Sequence, residues 1–362
     1  MSKTSSPGFF DIESRAAKLT SLGDPLVALE AQIEWEAFRC DLARVHEKVR
    51  KSRAGAKPFD VVLMFKMLVL QQLYNLADEG LEYQVRDRLS FMRFLGLQLE
   101  DRVPDAKTVW LYRERLNRLK LVEVLFQRFH AQLAAHGYIA RAGQMVDATF
   151  VEAPRQRNSR EENGQIKAGT GPADWSANKQ RQKDVEARWT KKNQETHYGY
   201  KNHVNADEAH KLVREYAVTH AAVHDSQVFD ELLDQTTDED GHKRAVYADS
   251  AYRSQAQEEK LAADHLPSQI CEKGKRGQPL TDTQKAANRL KSTVRVRVEH
   301  VFGAQAQMGG HLVRTIGLAR AQFKIGMMNL VYNMKRLGQL LKRDALKLLC
   351  LDHPRRDPSM AA

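Results

Sequence analysis

The sequence predicts a mixed α/β protein, with a helical N-terminal region, an α/β domain in the middle of the chain, and C-terminal helices. Three observations carry this. Apolar residues recur at helical spacing almost throughout 58–135. The texture changes near residue 137, after which the chain reads strand–strand–strand–helix–strand–helix–strand–helix. Beyond Gly309-Gly310, residues Phe323, Met327, Leu330, Val331, Met334, Leu337 and Leu341 form one apolar stripe, while Lys335, Arg336 and Lys342 stay in water. The expected divisions are 1–135, 136–310 with a basic insertion at 152–196, and 311–350 packing on the middle domain.

In PFDVVLMFKMLVLQQLYNL, Asp60 stands where a helix N-cap belongs. Asp105 can cap a second helix carrying Val109, Trp110, Tyr112 and Leu116, after a break at LGL and EDRVP. A helix, a short turn, and a helix bearing Lys107, Arg113, Arg115 and Arg118 is the layout of a helix-turn-helix DNA reader. Packing or dimerisation accounts for the same pattern.

The middle domain opens with GYIARAGQMVDATFVEAP, a strand leading into Asp147. The segment 155–195 is polar and poor in aliphatics, which predicts an exposed, mobile insertion. Its Trp175 and Trp189 suit either stacking on an unpaired base or anchoring the insertion. HYGYKNHVNA and KLVREYAVTHA read as strands. On the first, Lys201 and His203 either face the acids and touch phosphate or belong to a solvated face. HDSQVFDELLDQ reads as a helix capped by Asp225, with Val228, Leu232 and Leu233 inward. KRAVYADSAY is a short strand ending at Asp249. A helix at 256–264, a strand at SQIC and the basic loop EKGKRGQ come next. Lys273, Lys275 and Arg276 of that loop either contact a DNA backbone or are merely solvated.

STVRVRVEHVFG, residues 292–303, alternates like a strand, yet Thr281 and Gln284 make a capping box and no Gly or Pro intervenes before it. Helix is the reading adopted. It places Lys291, Arg295 and Glu299 on an i, i+4, i+8 ladder.

Composition narrows the function. Lys and Arg outnumber Asp and Glu by 57 to 46, for a net charge of +11 and a pI near 9.5. That balance points to a polyanionic partner, although a basic enzyme of another kind shares it. Three scattered cysteines, Cys40, Cys271 and Cys350, without a CxxC pair, argue against a zinc site or a disulfide framework and fit a reducing compartment. The longest apolar run, VVLMFKMLVL, is interrupted by Lys66 and too short to span a bilayer. MSKTSSPGFFDIES lacks the apolar core of a signal peptide. A cytoplasmic protein with no membrane partner is expected.

Asp147 and Asp249 fall at the ends of strands in one mixed sheet and Glu299 on a late helix, so the three can converge. Gathered carboxylates repel, and a divalent cation removes that penalty. Mg²⁺ favours a few carboxylates plus phosphate oxygens, and two such ions suit in-line phosphodiester chemistry. Taken singly, each Asp reads as a turn or cap residue.

MVDATFVEAP, VYADSAYR and RVRVEHVFG resemble, in order and spacing, the three blocks of bacterial insertion-sequence transposases of the DDE type, in particular the insertion sequence 5 family. KPFDVVLMFKMLVLQQLYNLADEGLEYQVRDRLSFMRFLGL and VPDAKTVWLYRERL resemble that group's helical N-terminal region, and FKIGMMNLVYNMKRL resembles its C-terminal helix. The resemblance spans most of 58–341. It implies an RNase H-like α/β catalytic domain in which Asp147, Asp249 and Glu299 are the catalytic acids and hold two Mg²⁺ or Mn²⁺ ions. It implies an enzyme that binds terminal inverted repeats, cuts at transposon ends and joins the freed 3′-hydroxyls to target DNA. The working form would be a homodimer or higher oligomer on double-stranded DNA, at the bacterial nucleoid. Arg295, in R-x-x-x-E, would contact DNA phosphate. The family often has Tyr three residues before that Arg and Lys seven after the Glu; here those places hold Ser292 and Ala306. Lys291 or Arg297 would substitute. A catalytically silent DNA-binding derivative and an RNase H-like nuclease without strand transfer are the rival readings.

Overall fold

The computed structural model describes residues 11–46, 57–138, 140, 142–169, 171–172, 174–192, 194–237, 241–274 and 277–352. The chain forms two compact units, residues 1–121 with 334–362, and residues 122–333.

The first unit is helical: α1 (Asp11–Ser21), α2 (Pro25–Gln32), α3 (Arg39–Ala43), α4 (Val61–Leu73), α5 (Asp78–Asp87), α6 (Leu89–Leu95) and α7 (Ala106–Arg118). α4 is apolar around nearly its whole circumference, so it is buried on all sides, with Phe65, Met67, Val69 and Leu70 at zero exposure. Trp35 packs edge-on against Phe94, and Phe38 and Phe65 complete the aromatic core. Lys66, the one charge in the apolar run, reaches Glu30 at 2.7 Å and lies over the Trp35 ring. Asp60 and Asp105 cap α4 and α7 as the sequence predicts, each accepting from backbone amides of the first turn. Among the described residues no helix is long and apolar enough to cross a membrane.

The second unit begins with α8 (Leu121–Ala135) and β1 (Gln144–Glu152). The insertion is built as α9 (Arg160–Lys167), α10 (Ala177–Gln182) and β2 (Arg188–Lys192), and leads to β3 (Glu195–Asp207) and β4 (Val213–His220). A 3-10 turn (Asp225–Gln227), α11 (Phe229–Leu232), β5 (Val246–Tyr247) and α12 (Gln255–Ala263) come next. α13 (Asp282–Arg295), a 3-10 turn (Val296–Val298), α14 (Glu299–Gln307) and α15 (Leu318–Asp352) close the chain. α15 passes from this unit into the first.

β3 is the long strand of the sheet. β1 runs antiparallel to its residues 199–207, while its other edge carries β2 over the first residues and β4 over the rest. β5 lies parallel to β1, and Ser268 of the SQIC segment adds a single parallel bridge to Val246. Antiparallel strands on one side of β1 and parallel ones on the other give the expected RNase H-like order. The two-residue period sends Val146 and Val151 to opposite faces. Val146 packs with Phe229 and Leu232 of α11, Leu261 of α12, and Tyr252. Val151 packs with Tyr198, Tyr200 and, from α15, Ala321, Ile325 and Met328. Helices therefore cover both faces, a three-layer arrangement.

A buried amide network positions α14. Asn202 of β3 donates to Gln305 and Asn329, and Gln305 donates to Asn329 at 2.7 Å. All three residues are essentially unexposed. Because each would be costly to bury alone, the network accepts one helix register only.

Three local expectations are corrected. The insertion is a built element rather than a mobile loop. Ser159 and Glu162 form a capping box, and the buried Asp184 accepts from the amides of Glu186, Ala187 and Gly317 and from the Tyr200 hydroxyl. Polar hydrogen bonds, not aliphatic burial, order it. Trp175 is 5% exposed and donates to Glu162, so it anchors the insertion. Asp225 is not a helix cap, since the His224 side chain accepts from Ser226 N instead. Lastly, β1 runs five residues past Asp147, which stands inside the strand.

Gly199 pairs with Glu152 at the end of β1, at φ +145°, and a Cβ there would stand closer than 3.0 Å to Val151 O and Ala153 N. Gly199→Ala should cost about 2 kcal/mol in denaturant unfolding. A second prediction concerns His130 of α8, whose Nε2 donates to Val213 O. Burial, reinforced by Arg214, pushes its pKa down from 6.5 to about 4. The unfolded chain then binds the extra proton more readily, so stability is intact above pH 6.5 and falls as pH drops towards 4. His130→Asn should flatten that fall in melts taken across this range.

Candidate active site

The parallel pairing of β1 with β5 sets Gln144 opposite Val246 and Met145 opposite Tyr247. Continued two residues further, that register places Asp249 beside Asp147, one strand spacing away. Asp249 lies just beyond the end of β5, where its Oδ1 accepts from Ala251 N at 2.7 Å.

Asp147 is fully engaged. Its Oδ1 accepts from Ala148 N at 2.8 Å and its Oδ2 from Arg295 Nη1 at 3.0 Å. Burial pushes its carboxyl pKa up to about 6, with the Asp249 carboxylate adding to the rise. Hydrogen bonding by Ala148 and the charges of Arg295 and Lys192 oppose it.

The stretch 292–303 is helical, as adopted from the sequence, but not one α-helix. Val296–Val298 tighten into a 3-10 turn between α13 and α14. A run of β-branched residues crowds the preceding turn, and three steps of 120° in place of 100° rotate α14 by roughly 60°. The expected ladder is thereby broken. Arg295 reaches the sheet, while Glu299, first residue of α14, is exposed. The structure brings Asp147 and Asp249 together and leaves Glu299 outside the pair. Among the described residues, no three His, Cys, Asp or Glu side chains gather closely enough to hold a metal ion.

The other expected site residues are dispersed. Lys291 donates to Ile270 O at 3.1 Å, and Arg297 pairs with Glu208 at 3.0 Å while remaining half-exposed. Lys201 and His203 do not face solvent. The Lys201 amine donates to Asp225 Oδ1 and Val223 O, both at 2.7 Å. His203 is unexposed, with Nε2 against Thr219 Oγ1, and burial pushes its pKa down to about 4. Arg113 forks onto Asp78 at 2.6 and 2.9 Å, tying α7 to α5. Lys107 and Lys273 are exposed. Lys275 and Arg276 lie outside the described residues.

Four residues that the sequence did not assign to the site contact it or the groups around it. Lys192 lies within the field of Asp147. Glu208 receives Arg297 and also accepts from Gly143 N, just ahead of β1. Asp225 balances the buried Lys201. Tyr252, the tyrosine of A-D-x-x-Y, is 2% exposed, and its hydroxyl has no hydrogen-bond partner among the described residues. Burial and the fields of Asp147, Asp225 and Asp249 raise its pKa. Of these, Tyr252 had a site signal in the sequence, its place in the block VYADSAYR, while Asp225 read only as a cap. On the far rim, Trp189 of β2 is 42% exposed, stacked at a tilt on Tyr198 with Arg155 over its ring.

Two family models match the chain. One, described as "Transposase DDE domain", covers residues 140–334, and one described as "Transposase domain (DUF772)" covers residues 13–115. Among solved structures, the chain is similar to that described as "Cryo-EM structure of piggyBac transposase synaptic complex with hairpin DNA (SNHP)", at 12% identity and a TM-score of 0.45. That likeness covers 92% of this chain and 83% of the other.

An unpartnered buried hydroxyl destabilises the fold. Tyr252→Phe should raise unfolding free energy by about 1 kcal/mol, and a loss of stability would show that the hydroxyl is bonded after all.

Proposed function

This chain belongs to the transposase DDE domain family, and from that premise we propose how its residues divide the work of a DNA transposase, an enzyme that cuts and joins DNA. Members of the family generally use divalent metal ions. The residues present fit such an ion in kind: carboxylate oxygens are hard donors, and Asp147 and Asp249 already lie side by side. They fit it in position only in part, because Glu299 has to turn inward and Asp147 Oδ2 has to be shared with or released by Arg295.

In this reading Asp147, Asp249 and Glu299 would hold two Mg²⁺ or Mn²⁺ ions. The chemistry such ions supply when bound is activation of the attacking oxygen and relief of charge on the leaving one. The remaining work falls to the chain's own groups. Arg295 lies on Asp147, Arg297 pairs with Glu208 and stays half-exposed, and both carry guanidinium forks suited to phosphate oxygens. Lys107 and Lys273 are solvent-facing cations able to hold DNA backbone. Residues 1–135 would bind terminal inverted repeats and residues 136–310 carry the chemistry, in a homodimer or higher oligomer at the bacterial nucleoid. The freed 3′-hydroxyl would attack a phosphorus of the target strand, forming the joined diester as the target's own 3′-oxygen leaves.

The observation that carries this reading is the register placing Asp249 beside Asp147, with the arginine of R-x-x-x-E bonded to the same carboxylate. The test is nicking of DNA bearing the repeats that flank this reading frame. Asp147→Ala, Asp249→Ala and Glu299→Ala should each lower Mg²⁺-dependent cleavage by roughly a thousandfold or more while leaving DNA binding in place. Cleavage surviving in all three variants overturns the assignment.

A further inference from the structure

We infer that Arg295 is a latch on Asp147: its guanidinium holds the carboxylate until a DNA phosphate draws it away, so that DNA binding and cation binding favour one another. This rests on the reading that Asp147 and Asp249 hold the cation.

Three observations support it. Arg295 Nη1 lies 3.0 Å from Asp147 Oδ2, across 148 residues of sequence, and the two side chains are only 22% and 16% exposed. Asp147's other oxygen is already bonded to Ala148 N, so the guanidinium occupies the oxygen that this amide leaves open. And Arg295 ends α13 directly before the 3-10 turn, the break in pitch between it and Glu299.

A guanidinium and a divalent cation on neighbouring oxygens repel each other strongly where water is scarce. While Arg295 stays on Asp147, cation binding is weakened. A phosphate diester offers the guanidinium two oxygens in the same fork geometry and can compete for it. Release has a second consequence. If Val296–Val298 relax from 3-10 to α pitch, Glu299 rotates by roughly 60° relative to Arg295, the sense of change needed to restore the strip on which both would stand. Linkage makes the coupling reciprocal: whatever DNA adds to cation affinity, the cation adds to DNA affinity.

The test uses the full chain and Mn²⁺ alone, with the free ion read by electron paramagnetic resonance. Arg295→Gln should bind Mn²⁺ about tenfold more tightly than wild type, and Arg295→Lys, which keeps the charge, should stay close to wild type. Arg295→Met repeats the measurement should the glutamine variant fold poorly. Asp147→Asn should lose the site, and Arg295→Gln combined with Asp147→Asn should show no gain. Adding a short duplex of arbitrary sequence should raise wild-type Mn²⁺ affinity and leave that of Arg295→Gln nearly unchanged. Charge-free variants that bind no more tightly, a gain that survives loss of Asp147, or an equal effect of DNA on wild type and variant each overturn the latch. Asp147→Asn binding Mn²⁺ like wild type overturns instead the cation-site reading beneath it.

Discussion

Two carboxylates set side by side at the centre of a sheet need positive charge, and much of the second unit is arranged around supplying it. The parallel register of β1 and β5, followed two residues past the end of β5, brings Asp249 up beside Asp147, and the charge of Asp249 is felt there. Burial disfavours the charge on Asp147 and its neighbour disfavours it further. Arg295 answers from α13, Lys192 from the end of β2, and an amide from the strand itself. The divalent metal ions that the family generally uses meet the same requirement, and they also offset the charge that a phosphate backbone would add beside these acids.

Beside the buried Val298 and Val301, polar contacts fix the helix that carries Glu299. Asn202, Gln305 and Asn329 close a hydrogen-bonded triangle between β3, α14 and α15, and Asn333 takes both backbone groups of Val213. Apolar packing tolerates small slides, whereas buried amides do not. α14 is therefore fixed at its far end, while the 3-10 turn at its near end remains the place where pitch can change. The insertion obeys the same principle. Asp184 gathers amides from its own loop and from the start of α15, and Tyr200 closes the cage from β3.

Much of this was legible in the chain alone. The caps at Asp60, Asp105 and Thr281, the strands now seen as β1, β3 and β4, and the helical character of 292–303 came from local chemistry, which acts within a few residues. Local reading failed where a distant partner decided the outcome. Asp225 has the look of a cap, but Lys201 claims it from β3. Lys201 and His203 alternate like a solvated face, yet both are buried, with Asp225 and Val223 beyond β4 taking the Lys201 amine. The insertion lacks aliphatics, and composition cannot reveal that one aspartate will order it.

By itself the sequence determined which residue types were available and in what order: the acidic blocks, the R-x-x-x-E spacing, the basic charge, and the alternation of strands and helices. Those are properties of neighbours along the chain. Tertiary structure alone decided which acids meet. The β1–β5 register led Asp249 up beside Asp147, and a 3-10 turn separates Arg295, bonded to Asp147, from the exposed Glu299. A rotation of one helical segment and a pairing across about a hundred residues are set by packing energies that no window of sequence contains.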